Sequence, residues 1–518
     1  MGEHLHQKIY NKDFVSFFKG DHTGNLTSRQ TPGFLYSKAV PTPVSQPTLL
    51  AWSQALADQL GIAYPDEKDV AILAGNLITE TMVPYAACYA GHQFGNWAGQ
   101  LGDGRAITLG EWNTGKGSFE LQLKGAGPTP YSRRSDGRAV LRSSLREFLM
   151  SEAMHYLGVP TTRALSLVST GDQVVRDMFY NGNAAYEPGA IVMRVAPSFL
   201  RFGNFEMLAS RQETENLKML VEWTINKFFP QIPEENIYLN WFAEVVELTA
   251  HLMTEWQRVG FVHGVMNTDN MSVFGLTIDY GPYSFLDHYD LNFTPNTTDL
   301  PGRRYAFGKQ PSIAYWNLSC LANAIAPLFP ETDPLVKVLE SYVDLYWNKY
   351  YRMMSNKLGL DNLREEDVDL IIQLEKVLVS IHPDMTIFYR LLCEIPEGIP
   401  DRETIIRYFN KSFYSDISDE LSESLFNWLQ LYYKRLETNS ISREKSRELM
   451  RRNNPHFVLR NYLLHQAIEE MESGIDTLFL KLQEAIKDPY SDKFPEFFAK
   501  RPDWATQKAG CSMLSCSS

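Results

Sequence analysis

Alternation of apolar and polar side chains predicts a strand in the first half of the chain. Residues 119–124 alternate for six positions, so Glu120, Gln122 and Lys124 share one face and apolar side chains share the other. This pattern is typical of a strand with one buried face and one solvent-exposed face.

A helix is predicted to follow that strand, over residues 138–156. Leu141, Leu145, Phe148 and Leu149 stand at positions i, i+4, i+7 and i+8. Side chains at these spacings lie on one face of an α-helix, where they can pack against a core.

The second half of the chain is mainly helical. One apolar stripe runs through residues 242–259, and Gly260 closes that helix. Residues 261–290 contain short strands and turns, whereas residues 1–95 are interpreted as an irregular extension. A strand-rich part followed by a helix-rich part predicts an α+β fold with two lobes. Further helices are predicted over residues 335–355, 364–381, 417–437 and 456–472.

Composition excludes several classes of partner. The chain has 518 residues, of which 44% are hydrophobic, and its net charge is −13. A negative field repels phosphate backbones, so no nucleic-acid partner is expected. There is no run of about 18 apolar residues, so no membrane partner is expected either. The N-terminal residues lack the features of a secretory signal, which favours a cytoplasmic location.

The cysteines do not indicate a disulfide framework or a zinc site, because they are five in number and scattered. Cys511 and Cys516 lie in a small, polar C-terminal segment that we expect to be mobile. Two interpretations stay open for them. They are either exposed thiols without a role, or a redox pair or regulatory thiol.

A glycine-rich stretch is the first candidate for ligand binding. Gly102 and Gly104 would let the backbone approach a ligand closely, and Arg105 could then meet a phosphate. A Gly-x-Gly turn on its own is more often a simple hairpin. The motif therefore carries weight only together with other residues.

Two sets of charged residues could bind phosphates. Lys124 on its strand is followed 23 residues later by Glu147 on the next helix, and protein kinases use such a pair to fix phosphates. Arg194 and Arg201 are seven residues apart, and their guanidinium groups could converge on a polyphosphate. The alternative is that these are ordinary surface charges.

Residues 263–281 carry the most specific pattern. Asn270 stands seven residues after His263, as in a kinase catalytic loop. An Asp-Tyr-Gly sequence begins at Asp279, where kinases place the Asp-Phe-Gly motif that binds metal. Amide and carboxylate oxygens are the ligands that Mg²⁺ prefers. The order of helix, His, Asn, hairpin and Asp predicts a nucleotide and metal site.

One position breaks the kinase pattern. The kinase base should stand two residues after His263, and that position is Val265, which cannot accept a proton. The protein is therefore either an inactive kinase, or another group serves as the base. Asp269, next to the predicted metal ligand Asn270, is the nearby candidate.

Together these segments resemble the selenoprotein O family of kinase-like protein adenylyltransferases. The resemblance implies an α+β, protein-kinase-like fold with two lobes. It is densest at residues 89–95, 100–105, 123–146, 193–206 and 261–290. The expected division is an N-terminal extension over residues 1–95, an N-lobe over 96–225, a helical C-lobe over 226–400 and a C-terminal helical extension with its cysteine tail over 401–518.

The resemblance also implies an activity. In that family ATP binds in a flipped orientation, AMP passes to Ser, Thr or Tyr hydroxyls of a protein, and pyrophosphate leaves. Asp269 would accept the proton, and Asn270 and Asp279 would hold Mg²⁺ or Mn²⁺. Glu147 would pair with Lys124. The implied nucleotide contacts are Gly102, Gly104, Arg105, Lys124, Asp136, Gly137, Arg194, Arg201 and Asp279.

The family further suggests redox control through the C-terminal tail. Some members carry selenocysteine third from the end, where this chain has Cys516, and Cys511 is a candidate partner for it. Several alternatives to AMP transfer stay open, and UMP transfer is one of them because the base pocket cannot be read from the sequence. They are UMP transfer from UTP, transfer of the γ-phosphate, and a nucleotide-binding pseudokinase that acts as a scaffold.

Overall fold

The computed structural model describes residues 2–178, 182–511 and 513–515. Strands dominate its first part and helices its second, so the α+β prediction is confirmed. The strands are β1 (Gly20–Asp21), β2 (Tyr36–Lys38), β3 (Thr48–Trp52), β4 (Tyr85–Ala87), β5 (Ala90–Gln93), β6 (Asn96–Gln100), β7 (Ala106–Thr114), β8 (Gly117–Lys124), β9 (Arg163–Arg176), β10 (Ala185–Ala196), β11 (Phe261–Val262) and β12 (Ser284–Phe285). The helices are α1 (Asp13–Phe17), α2 (Gln54–Leu60), α3 (Glu67–Leu73), α4 (Leu141–Tyr156), α5 (Phe202–Ser210), α6 (Thr214–Phe228), α7 (Ile237–Val259), α8 (Gln310–Ile325), α9 (Asp333–Lys357), α10 (Glu365–Ile381), α11 (Met385–Cys393), α12 (Arg402–Phe409), α13 (Asp419–Glu437), α14 (Arg443–Asn453), α15 (Asn461–Glu472) and α16 (Thr477–Ala485).

One eight-stranded sheet organises the first part, with strand order β1-β2-β4-β7-β8-β10-β9-β3. At its centre β8 pairs antiparallel with both β7 and β10. The register places Gln122 of β8 opposite Arg194 of β10. Residues opposite each other in a sheet present side chains to the same face, so this pairing brings two chemically suggestive positions together.

The strand predicted over residues 119–124 is present within β8, but both of its faces are buried. Glu120 and Gln122 are as inaccessible as their apolar neighbours. Gln122 donates from Nε2 to Asp103 Oδ2 (3.3 Å) and accepts from Arg194, which explains why its polar face is not open to solvent. A polar stripe in this strand therefore marks an interior network.

Residues 1–95 supply four strands of the sheet. Strands β1, β2 and β4 extend one edge, and β3 forms the other edge beside β9. The interpretation of this region as irregular is wrong for these strands. They are two to five residues long, which is too short for a period of two to stand out in the sequence. The sheet thus continues across residue 95, and the domain division stays a prediction.

The predicted helices are present, with small shifts at their ends. Helix α4 begins at Leu141 and not at residue 138, because Val140 is still in an extended conformation. Helix α7 ends at Gly260, whose left-handed φ of 74° closes it as the sequence predicts. The later predictions correspond to α9, α10, α13 and α15. No helix among the described residues is both long and apolar enough to cross a membrane.

The described part of the C-terminal tail is packed against the loop that contains Pro295 and Thr297. Cys511 and Leu514 are buried. The Leu514 N–H donates to Pro295 O (3.1 Å), and the Thr297 N–H donates to Leu514 O (2.8 Å). The expectation of a mobile tail is therefore wrong for residues 513–515, because a distant loop supplies hydrogen-bond partners that the local sequence does not reveal.

Candidate active site

A cavity of about 680 Å³ lies between the central sheet and the segment that follows α7. Its walls bring together residues that are far apart in the chain. Both the glycine-rich loop and the loop after α7 contribute to it. Of the predicted site residues it is lined by Gly102, Gly104, Arg105, Lys124, Asp136, Gly137, Arg194, Asp269, Asn270 and Asp279.

The glycine-rich loop needs its glycines for steric reasons. Gly102 has φ of 130°, and a Cβ there would lie 2.5 Å from the Tyr131 ring. A Cβ at Gly104 would lie 2.9 Å from Tyr131 O. The loop is thus pressed onto the chain at Tyr131, and Arg105 follows it on the cavity wall. Only residues without side chains allow this close approach.

Lys124 and Glu147 form the ion pair that their spacing predicts. Lys124 Nζ lies 2.7 Å from Glu147 Oε2 and 3.8 Å from Asp279 Oδ1. Burial lowers the pKa of Lys124, while the charge of Glu147 opposes that shift. A buried ammonium held between two carboxylates is positioned to meet a phosphate at the cavity surface.

Asp279 is the centre of a cluster of cations. Arg194 Nη1 donates to its Oδ1 (2.5 Å), and Arg201 Nη1 donates to its Oδ2 (2.6 Å). Burial alone would raise the pKa of Asp279, but Arg201, Arg194 and Lys124 together hold it well below its usual value. Its backbone is left-handed, with φ of 61°, which is uncommon outside glycine and is often found at functional sites.

Arg201 differs from the other predicted nucleotide contacts, because it does not line the cavity. It is buried behind Asp279 and also donates to the backbone oxygen of Asp269 (2.7 Å). Arg201 therefore contacts both acidic residues from the side that faces away from the cavity. In this structure its position is that of a residue that orients them.

The loop after α7 is fixed by its own side chains. His263 Nε2 is 2.8 Å from Ile278 O, and Asn270 Nδ2 donates to Val265 O (2.9 Å). Burial lowers the pKa of His263, which favours the neutral imidazole. These contacts bring Asn270 and the Asp279 segment to the same wall of the cavity.

Asp269 occupies a different environment from Asp279. It is buried, its Oδ2 accepts a hydrogen bond from Gln93 Nε2 (3.3 Å), and its Oδ1 has no hydrogen-bond partner among the described residues. Burial raises the pKa of Asp269 to about 7, with Arg201 opposing the shift. A buried carboxylate with such a pKa, on a residue that lines the cavity, is suited to accept a proton.

Asp136 and Gly137 lie at the rim of the cavity. Asp136 Oδ1 lies 2.7 Å from Arg176 Nη2, at the end of β9. Gly137 has φ of 70°, and a Cβ there would lie 2.2 Å from Gly127 C. Sequence reasoning did not identify Arg176, because its contribution depends on how the long β9–β10 hairpin folds over the cavity.

Gln93 is a second residue that sequence reasoning did not assign. It lies at the end of β5, and the same turn is held because the His92 N–H donates to Thr268 Oγ1 (2.7 Å). A Cβ at Gly91 would lie 3.0 Å from the Asp269 backbone nitrogen. Gln93 falls within the distinctive stretch 89–95, which was the available signal for its importance.

The predicted redox pair is only partly described. Cys511 is buried, and burial raises the pKa of its thiol to about 11. A thiol of that kind is mostly protonated at neutral pH and reacts slowly. Cys516 lies outside the described residues, so a redox role for the pair stays a prediction.

The donor set at the cavity fits a hard divalent cation. Asn270 and Asp279 line it together, and Asp269 Oδ1 is an unpartnered buried oxygen nearby within the part of the chain that the structure describes. Mg²⁺ and Mn²⁺ prefer carboxylate, amide and phosphate oxygens. Asn270 and Asp279 are the residues that would hold such an ion.

Comparison with known proteins identifies the family. The family model described as "Protein adenylyltransferase SelO" matches residues 18–487. The chain belongs to the SelO family. It is 61% identical over its full length to a protein nucleotidyltransferase YdiU of Cytophaga hutchinsonii, and both chains are covered completely. It is 50% identical to the YdiU proteins of Flavobacterium johnsoniae, covering 99% of each chain, and of Aromatoleum aromaticum, covering 98% of this chain and 99% of that protein.

Membership of the SelO family confirms two predictions. The chain has the kinase-like α+β fold of that family, and it is an enzyme of the nucleotidyltransferase class. The relatives' names specify neither the nucleotide nor the type of acceptor residue. Those finer points depend on the chemistry of the cavity.

Proposed function

We propose that this enzyme transfers AMP from ATP to Ser, Thr or Tyr hydroxyls of protein acceptors and releases pyrophosphate. The observation that carries the proposal is that a cluster of cations and a separate buried carboxylate face one cavity. Lys124 and Arg194 supply the positive charge, and Asp269 supplies the base that Val265 cannot be. The family description, which names an adenylyltransferase, supports AMP as the group transferred.

The phosphates of ATP would meet the loop Gly102–Arg105 and the buried Lys124. Backbone amides and a guanidinium in that loop, with the ammonium beside it, suit a polyphosphate. Arg176 and Asp136 at the rim would contact the outer part of the nucleotide. These positive groups are preorganised by Glu147 and Asp279, so they need little rearrangement when charge develops on the leaving group.

The chemical step moves one proton and exchanges one bond. The acceptor hydroxyl oxygen attacks the α-phosphorus, and the bond from that phosphorus to the bridging oxygen of pyrophosphate breaks. Asp269 takes the hydroxyl proton, which its pKa of about 7 allows near neutral pH. Lys124 and Arg194 would neutralise the departing pyrophosphate. A cation held by Asn270 and Asp279 would supply further charge neutralisation at the phosphates.

The test is label transfer to protein from nucleotides that carry the label at different phosphates. Full-length enzyme with Mg²⁺ or Mn²⁺ and a protein acceptor would receive ATP labelled at the α- or the γ-phosphate, or UTP labelled at the α-phosphate. We expect label from α-labelled ATP, and strongly reduced labelling by the control variant Asp269→Asn.

Each other outcome excludes the proposal in a different way. Label only from γ-labelled ATP would make the chain a kinase with a relocated base. Preferred transfer from UTP would replace AMP with UMP. Nucleotide binding without transfer from any of the three would indicate a scaffold. If label is transferred, hydrolysis of the labelled protein at acidic and alkaline pH would distinguish serine and threonine from tyrosine as the acceptor.

A further inference from the structure

A cluster of four potential metal ligands lies outside the cavity, where the N-terminal segment meets the start of α3. His4, His6, Asp66 and Asp69 each offer one ligand atom, and these atoms all lie within 4.8 Å of one another. Two imidazoles and two carboxylates in one place are a ligand set for a transition-metal ion. None of these residues has a part in the proposed reaction.

The backbone holds both halves of the cluster in place. Glu3 pairs with Ile62 in a parallel bridge, and its N–H donates to Gly61 O (2.8 Å). A turn follows in which the Gln7 N–H donates to His4 O (3.0 Å), and it carries both imidazoles to the same side. The other two ligands belong to the first turn of α3. The cluster is thus built from two separately anchored segments.

The distances between the imidazole nitrogens and the carboxylate oxygens can be compared with those around a tetrahedral metal ion. Asp69 lies 2.5 Å from His4 Nδ1 and 2.9 Å from His6 Nδ1. Asp66 lies 3.9 Å from His4 Nδ1 and 3.6 Å from His6 Nδ1. Bonds of about 2.0–2.2 Å around a tetrahedral ion place its ligand atoms about 3.3–3.6 Å apart. The Asp66 contacts are already near that range, whereas the two Asp69 contacts would have to lengthen by about 0.4–1.1 Å to complete a tetrahedron.

Asp69 is the buried member of the cluster, and the backbone N–H groups of His6 (3.0 Å) and Asp66 (3.4 Å) donate to it. The Asp69 side chain is fully buried, whereas that of Asp66 is 46% exposed and leaves a route from solvent. A buried carboxylate needs a compensating positive charge or good hydrogen bonds. A divalent ion would neutralise both carboxylates, and neutral imidazoles would complete its coordination.

We infer that His4, His6, Asp66 and Asp69 form a structural zinc site that fastens the N-terminal segment to α3. Four protein ligands leave no open position, which is the arrangement of structural zinc rather than of catalytic zinc. A bound ion would stabilise the folded state in proportion to its concentration above the dissociation constant. The competing interpretation is that the imidazole N–H groups only donate hydrogen bonds to Asp69.

A double variant separates zinc binding from hydrogen bonding. In His4→Asn/His6→Asn, each side-chain amide nitrogen stands close to where the imidazole Nδ1 stood, so donation to Asp69 can persist while two metal ligands are lost. Full-length parent and variant would be stripped with a chelator, titrated with Zn²⁺ against a competing chelator, and measured for metal content and thermal unfolding. His251→Ala, an exposed histidine on α7, is the matched control.

We expect the parent and His251→Ala to hold about one more zinc per chain than the double variant. Loss of an outer hydrogen-bond partner alone weakens metal binding about 10- to 100-fold, so loss of two ligands should weaken it at least as much. Zinc should raise the melting temperature of the parent and of His251→Ala, but not that of the double variant. Equal zinc content and equal melting shifts would overturn the site. If the double variant fails to fold, Asp66→Asn keeps a good helix cap and tests the same point.

Discussion

Two carboxylates that line the same cavity and stand ten residues apart have pKa values shifted in opposite directions. Asp279 is gripped by Arg201, Arg194 and Lys124, which keep its pKa well below the usual value although burial would raise it. Asp269 is also buried, but the one side chain among the described residues that donates to it is the amide of Gln93, and burial raises the pKa of Asp269 to about 7. Two aspartates in one cavity thus differ in their affinity for a proton, because only Asp279 is paired with cations.

The difference indicates how the two roles are divided. A carboxylate that stays ionised at any physiological pH is suited to hold a cation, whereas one that titrates near neutrality is suited to exchange a proton. Pairs of acidic groups whose surroundings push their pKa values apart commonly mark the acid–base assignment of an active site. The guanidinium of Arg201 forms an ion pair with Asp279 but donates only to the backbone oxygen of Asp269, so its charge lowers the pKa of Asp269 without overcoming the effect of burial.

Removal of the charge at Asp279 should have the largest effect. In Asp279→Asn, three buried cations lose a shared partner, which should lower the free energy of unfolding by about 3–5 kcal/mol. Label transfer should fall by about 10³-fold or more, because metal stabilisation is worth several kcal/mol. Urea unfolding and initial rates measure the two effects. Asp344→Asn, at an exposed position of α9, is the control. A stable and active Asp279→Asn enzyme would mean that Asp279 neither holds a required cation nor balances the three buried cations.

The same substitution at Asp269 should give a different result. Asp269→Asn should lower kcat by about 10²- to 10⁴-fold, the usual contribution of a general base. Its free energy of unfolding and its affinity for ATP should hardly change, because no ion pair of the Asp269 side chain is broken. Calorimetry with ATP and urea unfolding would show this. A loss of stability as large as that of Asp279→Asn would mean that both carboxylates are structural.

Removal of one cation should be less severe than loss of Asp279. Lys124→Ala should slow transfer by about 10²- to 10³-fold, in the range of one well-placed charged or polar contact to the transition state. Arg194 still neutralises Glu147 and Asp279, so the fold should persist by circular dichroism. Lys116→Ala, in the exposed turn before β8, is the control. A normal rate in Lys124→Ala would mean that Lys124 does not stabilise the phosphates in the transition state.

The sequence predicted which of these residues lie close together where they follow short-range patterns. Lys124 and Glu147 belong to a strand and the next helix, and their pairing follows from the way those two elements pack. Asn270 and Asp279 lie within one motif, so a few residues of loop geometry place them together. Arg194 is an exception, because the register of β10 against β8 brings it beside Lys124 and Glu147 from a distant part of the chain.

The sequence did not predict features that depend on contacts between distant segments. Arg201 is predicted to contact the nucleotide, but it lies behind Asp279, since its direction is set by how α5 meets the 263–281 loop. The tail is packed because Pro295 and Thr297 pair with Leu514 more than two hundred residues later. No local period reports such partners, so composition alone made the tail appear mobile.

Activity should depend on pH through Asp269. Its pKa is raised in the folded enzyme, so the proton is bound below the midpoint and the base is lost as pH falls. The rate should decrease about tenfold per pH unit on the acidic side. The midpoint should lie at or below about 7, because a cation at Asn270 and Asp279 would lower it. The residual activity of Asp269→Asn should lack this limb, and an unchanged profile in that variant would assign the titration to another group.

The smallest effect on the rate should come from Gln93. Its replacement tests directly whether the surroundings of Asp269 set the pKa of that carboxyl. Its amide stabilises the charged form of Asp269, so Gln93→Ala should move the pH midpoint of the rate upward. A hydrogen bond to a charged group is worth about 1.5–3 kcal/mol, and this one is long at 3.3 Å, so the rate at neutral pH should fall about tenfold. Asn96→Ala, exposed at the start of β6, should change neither quantity. A lower rate without a shifted midpoint would mean that Gln93 only supports the β5–β6 hairpin. A shifted midpoint would show that this hairpin sets the proton affinity of the base.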